Sequence, residues 1–334
     1  MKKINWGIIG CGGIADKRTI PGLLLAENAQ CVALMDKSEQ ILETVGKKYN
    51  VENLYTDINE LLRQDNLDAV YIATPVFCHK ENVIAAADAG KHILLEKPMG
   101  LTVSEATEIM DYCNKKNVKL CVGFMMRYHD GHEKIKSLIE NGDIGEVVSA
   151  YAKFNCVSPV SEVKWRQTKA FSGGGTMMDM GIHCVDLLQH ITGLNAKEVV
   201  GMSGNQIFKY PDTEDAATAI MRMENGALFV VEANFNVDEA FGCKFEIYGT
   251  KGCIAADKTI GQTETGTITL TDTDSQCKVV EYTSGNMYEK EISRFSDAIL
   301  YDKEVPITAH EGIFNQKIVE AVYESQQSGK KIIL

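Results

Sequence analysis

Residues 4–15 read INWGIIGCGGIA, an apolar run of strand length that breaks into Gly10, Gly12, Gly13 and Ala15. An apolar strand, then G-x-G-x-x-A, then helix-compatible residues is the context in which glycine spacing signals a dinucleotide site. Gly10 is expected to make the tight turn, Gly12 to let backbone approach a pyrophosphate, and Ala15 to pack the following helix against the strand. The phosphates then rest on backbone N–H groups at the start of a helix beginning near Gly13. Pro21 should break that helix, leaving a second piece that runs to Leu25.

The next apolar run, residues 30–35, ends in Asp36, twenty-one residues after Ala15. An acid at this point of a dinucleotide fold meets the adenosine ribose hydroxyls and repels a 2′-phosphate, so it favours NAD over NADP. Lys37, a neighbouring cation, keeps NADP open.

Strand-like and helix-like segments then alternate: DAVYIAT at 68–74, a helix over 80–89, HILLEK at 92–97, a helix after Leu101, and KLCVGF at 119–124. This β-α-β-α order predicts a doubly wound parallel sheet in an α/β protein. Thr102 and Glu105 have capping-box spacing, and Val103, Ala106, Met110 and Cys113 form the expected buried stripe. Groups at the carboxyl ends of such strands share a crevice, which predicts that Thr74-Pro75, Glu96-Lys97-Pro98 and residues 124–127 line it. Beyond about residue 145, the segments 146–154, 216–223, 226–235, 244–249 and 267–271 read as an antiparallel or mixed sheet. Helices are expected at 130–140, 177–191, 288–300 and 310–328.

With 334 residues, the chain is long enough for two domains. A net charge of −12 argues against a nucleic-acid partner and for a small molecule. No apolar stretch approaches the roughly 20 residues that span a bilayer, and no signal-peptide pattern precedes the first strand, so no membrane partner and a cytoplasmic location are expected. The ten cysteines contain no C-x-x-C pair and read as reduced, mostly buried thiols.

Two sets of residues carry the chemistry. Lys97, between Glu96 and Pro98 at the end of a parallel strand, is directed into the crevice. Asp179 and His183, four apart on a helix, follow Gly173-Gly174-Gly175, which lets backbone or substrate come close; a carboxylate one turn before a histidine is an orienter and general base. His129, His132 and Glu133 have ligand-like spacing but lack the H-E-x-x-H order, so no metal is assigned, and the two histidines read as polar groups at the surface or substrate edge. A nucleophile is weaker still, with no G-x-S-x-G elbow.

Taken together, Gly10-Cys11-Gly12-Gly13-Ile14-Ala15, Thr74-Pro75 with His79, Gly90-Lys91-His92 leading into Glu96-Lys97-Pro98, then Trp165-Arg166, the glycine triplet and Asp179-x-Gly181-x-His183 resemble the Gfo/Idh/MocA oxidoreductases. The resemblance runs from residue 4 to the C-terminus. It implies a Rossmann domain over 1–124 and, over 125–334, an α/β domain with a large mainly antiparallel sheet whose open face makes homodimers or homotetramers. It implies Lys97, Asp179 and His183 as the catalytic set, also touching substrate. Arg127 then becomes a substrate-side arginine, and Thr74, Pro75, His79, Glu96, Trp165 and Arg166 join the cofactor contacts. Asp130-Gly131 departs from relatives, which often have a proline there, and that touches local substrate contacts only. The implied reaction is NAD(P)-dependent hydride transfer to or from a secondary alcohol or ketone of a sugar, inositol or related polyol. Two other readings stay open: an NAD-dependent glycosidase working by transient oxidation, and a non-catalytic dinucleotide-binding metabolite sensor.

Overall fold

A computed structural model describes residues 2–160 and 164–334. The chain divides into two compact units, residues 1–125 with 286–313, and residues 126–285 with 314–334.

The first unit is built on a six-stranded parallel sheet of β1 (Ile4–Ile9), β2 (Ala29–Met35), β3 (Leu54–Tyr55), β4 (Ala69–Ile72), β5 (His92–Glu96) and β6 (Leu120–Gly123). Their spatial order is β3-β2-β1-β4-β5-β6, a doubly wound sheet that reverses direction between β1 and β4. All four residues of β4 and all four of β6 are buried, as expected of strands covered on both faces. The helix Val103–Lys116 starts as its sequence predicts: Thr102 Oγ1 accepts from Glu105 N–H at 3.1 Å, while the Glu105 carboxylate reaches back to Leu101 N–H at 2.7 Å. Its buried stripe is Ala106, Ile109 and Cys113. Ile109 replaces the expected Val103 and Met110 because the buried face follows the 3, 4 alternation from Ala106.

The sequence expectation sets one break, at 124/125, whereas this unit is made of two stretches. Residues 286–313, assigned from sequence to the second domain, belong to the first. The helix Met287–Leu300 explains why: Phe295 stacks edge-on against Trp6 with ring centroids 5.8 Å apart, and Ser296 accepts the Trp6 indole N–H at 3.1 Å. Asp297 accepts from Asn28 at 2.7 Å. A side chain at Gly22 would lie 2.7 Å from Tyr288 and Glu289, so the helix Ile20–Leu25 and this one touch through bare backbone.

The second unit carries a nine-stranded sheet: β7 (Val147–Asn155), β8 (Ala196–Gly204), β9 (Ala216–Met223), β10 (Leu228–Asn234), β11 (Lys244–Gly249), β12 (Gly252–Asp257), β13 (Thr267–Asp272), β14 (Cys277–Val279) and β15 (Ile332–Ile333). The order is β14-β13-β12-β11-β7-β10-β9-β8-β15, with every pairing antiparallel except β10 with β7. Alternation along β9 puts Ala217, Ala219, Met221 and Met223 inside and Thr218, Ile220 and Arg222 outside. The inner face meets the helix Ile182–Thr192, whose residues 182–189 are all buried. Among the described residues, no helix is long and apolar enough to cross a membrane.

Candidate active site

In the first unit the predicted residues follow the carboxyl ends of successive strands. Gly10 has φ +84°, and a Cβ there would stand 2.9 Å from the backbone of Ala73 and Thr74, so this glycine both turns the chain and lets it lie against the end of β4. Its N–H donates to Met35 O at 2.8 Å. Asp36 accepts from Cys11 N–H at 3.2 Å and Ser38 N–H at 3.0 Å, which ties the end of β2 to the glycine turn. The Cys11 thiol is buried and pushed up to about 12, first by desolvation and then by Asp36, so it is inert packing. Ala15 is fully buried and opens a π-helical turn, Ala15–Thr19, that leads into the helix holding Pro21 in its first turn.

This cradle fits a dinucleotide. A Cβ on Gly12 would first meet Ile41 at 3.7 Å, and one on Gly13 would meet nothing within 4 Å, so the outer side of the turn is open where Gly10 is closed. Asp36 lies at the turn as the only strand-end carboxylate of β1 and β2, the position that suits ribose hydroxyls.

His79 is buried, with Nε2 2.9 Å from Thr74 O and Nδ1 3.0 Å from Pro98 O. Desolvation pushes the ring down to about 4, outweighing the carbonyls of Thr74, Pro98 and Met99 that favour the charged form. It therefore pins the turn after β4 to the turn after β5, a structural use different from the cofactor contact expected of it. Glu96 accepts from Tyr71 O–H at 2.5 Å and from Lys97 N–H at 3.2 Å, and the Lys97–Pro98 peptide is cis. Glu291, buried nearby, is pushed well up by burial and then by the Glu96 charge. Sequence reading missed both Tyr71 and Glu291, since neither belongs to a motif.

In the second unit, Asp179 lies on a π-helical turn, Met177–Gly181, and His183 on the α-helix that continues it. Such π turns are frequent at functional sites, and nothing in a 3.6-residue periodicity announces one. His183 is 5% exposed and meets the Phe154 ring edge-on at 6.1 Å. Asp179 is half-buried, with Arg166 Nε 3.8 Å from its carboxylate, and the Arg166 guanidinium stacks 4.1 Å over the Trp165 ring. Trp165, Arg166 and Asp179 thus form one array. The Cys184 thiol is fully buried and pushed up by desolvation, which leaves it no role as a nucleophile.

Of the two close approaches expected at the glycine triplet, backbone or substrate, the structure shows the first. Side chains on Gly174 and Gly175 would overlap the Tyr323 hydroxyl and the Glu214 carbonyl oxygen, so the glycines admit neighbouring protein rather than substrate.

Arg127 departs furthest from expectation. It is 7% exposed and grips Asp186 through Nε, at 2.9 Å to Oδ2, and Nη2, at 2.6 Å to Oδ1, while Asn315 donates to Asp186 at 2.7 Å. A guanidinium committed to a buried carboxylate on the His183 helix is a brace. His129 and His132 are likewise buried, their rings stacked 4.3 Å apart against Tyr282 and Phe245. His129 Nδ1 accepts from Gly131 N–H and caps the helix Asp130–Glu140, which fixes its proton on Nε2. They are neither surface nor substrate-edge groups. Among the described residues no group of three or more His, Cys, Asp or Glu is arranged to hold a metal.

Residues 4–124 match an oxidoreductase family described by its NAD-binding Rossmann fold, and residues 132–255 match the GFO/IDH/MocA C-terminal domain. The chain belongs to the Gfo/Idh/MocA oxidoreductases. Among this family, the myo-inositol 2-dehydrogenase of Thermotoga maritima is 31% identical over 80% of this chain and 78% of its own length. The 1,5-anhydro-D-fructose reductase of Ensifer adhaerens is 26% identical over 98% of this chain and 97% of its own. The fold also matches the crystal structure of aldose-aldose oxidoreductase from Caulobacter crescentus complexed with glycerol, with a TM-score of 0.93, 22% identity and complete coverage of both chains. At that identity the match speaks for the fold. As a Gfo/Idh/MocA protein the chain is an NAD-binding oxidoreductase, and its first unit is the family's Rossmann fold.

Proposed function

We propose that this oxidoreductase transfers hydride between NAD and a secondary alcohol or ketone of a sugar, inositol or related polyol. The observation that carries the reading is a buried histidine, His183, on a helix whose preceding turn presents Asp179 beside Arg166. The family relatives that act on myo-inositol and 1,5-anhydro-D-fructose support the substrate class.

Bound NAD supplies the hydride acceptor at nicotinamide C4. In oxidation, His183 takes the hydroxyl proton, and Asp179 orients the imidazole and stabilises its charged form. Lys97 donates a hydrogen bond to the same oxygen and stabilises the negative charge that grows there. In reduction His183 returns the proton. Asp36 would hold the ribose hydroxyls and disfavour a 2′-phosphate, which favours NAD over NADP. Arg127 is assigned to its buried pair with Asp186 and not to substrate.

The outer face of the nine-stranded sheet presents Val200, Met202 and Ile220, with Val200 paired to Ile220 across β8 and β9, and Leu228 exposed on β10. This row supports association with a second copy into a dimer or a tetramer. None of the ten cysteines is in a disulfide and only Cys277 is exposed, which supports a reducing cytoplasmic setting.

A panel of sugars, inositols and keto-sugars, assayed in both directions with NAD(H) and NADP(H) by nicotinamide absorbance, tests the reading. Turnover on at least one compound with NAD ahead of NADP is expected. Release of aglycone from a chromogenic glycoside without net NADH would replace it with the glycosidase reading.

A further inference from the structure

The helix that carries His183 begins without a cap of its own: Thr176, at its N-terminus, makes no side-chain capping bond. The orphan N–H groups of this first turn are instead met by one residue 37 or more positions further along the chain. Glu214 accepts from Gly175 N–H through Oε2 at 2.9 Å and from Met177 N–H through Oε1 at 2.9 Å, and its main-chain oxygen accepts from Thr176 N–H at 3.1 Å. Tyr323 O–H donates to Oε1 at 2.9 Å from behind. Three donors converge on a carboxylate that is 9% exposed, and the adjacent Asp215, fully buried, fixes the neighbouring loop by accepting from the N–H groups of Gln206, Ile207 and Phe208. The glycines at 174 and 175 exist in this arrangement because any side chain there would strike Tyr323 or Glu214. A cavity of about 290 Å³, lined among others by Gly174, Glu214 and Tyr323, opens beside the pair.

We propose that Glu214, backed by Tyr323, is a positioning residue for catalysis. It clamps the π turn on which Asp179 sits and from which His183 projects one turn later, so that it governs the rate of proton and hydride transfer rather than the affinity for cofactor. The proposal rests on the reading of Asp179 and His183 as the base and its orienter. Neither Glu214 nor Tyr323 touches the reacting atoms, and neither lies in a sequence motif; the only trace in the sequence is the glycine triplet they require.

Glu214→Gln tests this in the full chain, because glutamine keeps the size but turns an NH2 toward one of the two backbone N–H donors. Tyr323→Phe is the milder variant, removing a single donor. Since displacement of a reacting group by about 1 Å costs roughly 100-fold in rate, kcat is expected to fall ~30–100-fold in E214Q and several-fold in Y323F, with the Kd for NADH unchanged. The primary isotope effect on kcat, measured with 4-deuterated NADH and the corresponding keto-sugar, should rise as chemistry becomes limiting. A mere loss of folded protein would lower kcat and leave the isotope effect where it was, and that result overturns the proposal. H183Q, assayed alongside, separates the two claims. If H183Q kept its turnover, the base assignment falls, and the clamp is then judged by amide exchange at Gly175 and Met177. Exchange at least ~10-fold faster in E214Q supports the clamp, and unchanged exchange overturns it.

Discussion

Arg127 illustrates what a single residue's surroundings decide. Its place after the last parallel strand, through the family resemblance, made it a substrate ligand, yet its Nε and Nη2 are both bound to Asp186, 59 positions away in sequence. Spacing cannot reveal such a partner, because it arrives from another element. The same holds for His129 and His132, whose stacking on Tyr282 and Phe245 joins segments more than a hundred residues apart. Breaking a buried ion pair from one side strands the other charge, so Arg127→Met is expected to destabilise the chain by about 3–5 kcal/mol, while Arg127→Met with Asp186→Leu recovers most of that loss. Urea unfolding of the two variants checks it; equal losses in both would show that the pair is not the brace described.

At the scale of elements, five of the six strands of the parallel sheet were legible because each is a short apolar run closed by a turn, and β1, β2, β4, β5 and β6 all fall within two residues of their expected limits. The missed strands, β3, β8, β12, β14 and β15, are rich in small residues or very short. β8 even carries Gly201, where a side chain would overlap Val322. The π turns at Ala15–Thr19 and Met177–Gly181 were invisible for a different reason: one extra residue per turn is a tertiary accommodation with no compositional mark. His79 acts at this scale too, as the pin between two strand-end turns. Its ring titrates near 4 when folded against ~6.5 when free, so the unfolded chain takes up its proton first. Its contribution is therefore complete above about pH 6.5 and declines as pH falls toward 4, by up to about 3 kcal/mol. Urea midpoints at pH 7.5 and 4.5 should converge more for His79→Gln than for the wild type, and an identical acid loss in both would exclude His79 as a contributor.

For the whole molecule, the sequence placed the dinucleotide fold, the second sheet and the order of the site motifs correctly, because each motif is local. It misassigned residues 286–313, since a helix's allegiance depends on which sheet its apolar face meets, here through Trp6 and Phe295. The exposed row of Val200, Met202 and Ile220 makes a further claim at this scale. On the proposed association through this row, Met202→Lys with Ile220→Lys should sediment as a monomer in analytical ultracentrifugation, and a mass unchanged from wild type would rule this row out as an interface. The central claim, that His183 is the acid–base group of an NAD-linked polyol oxidoreductase, is tested most directly by comparing wild type and His183→Gln on whichever polyol of the panel the wild type oxidises fastest, following NADH formation. In H183Q, kcat is expected to fall ~100- to 10,000-fold while NAD still binds; turnover within a few-fold of the wild type would contradict the assignment of His183.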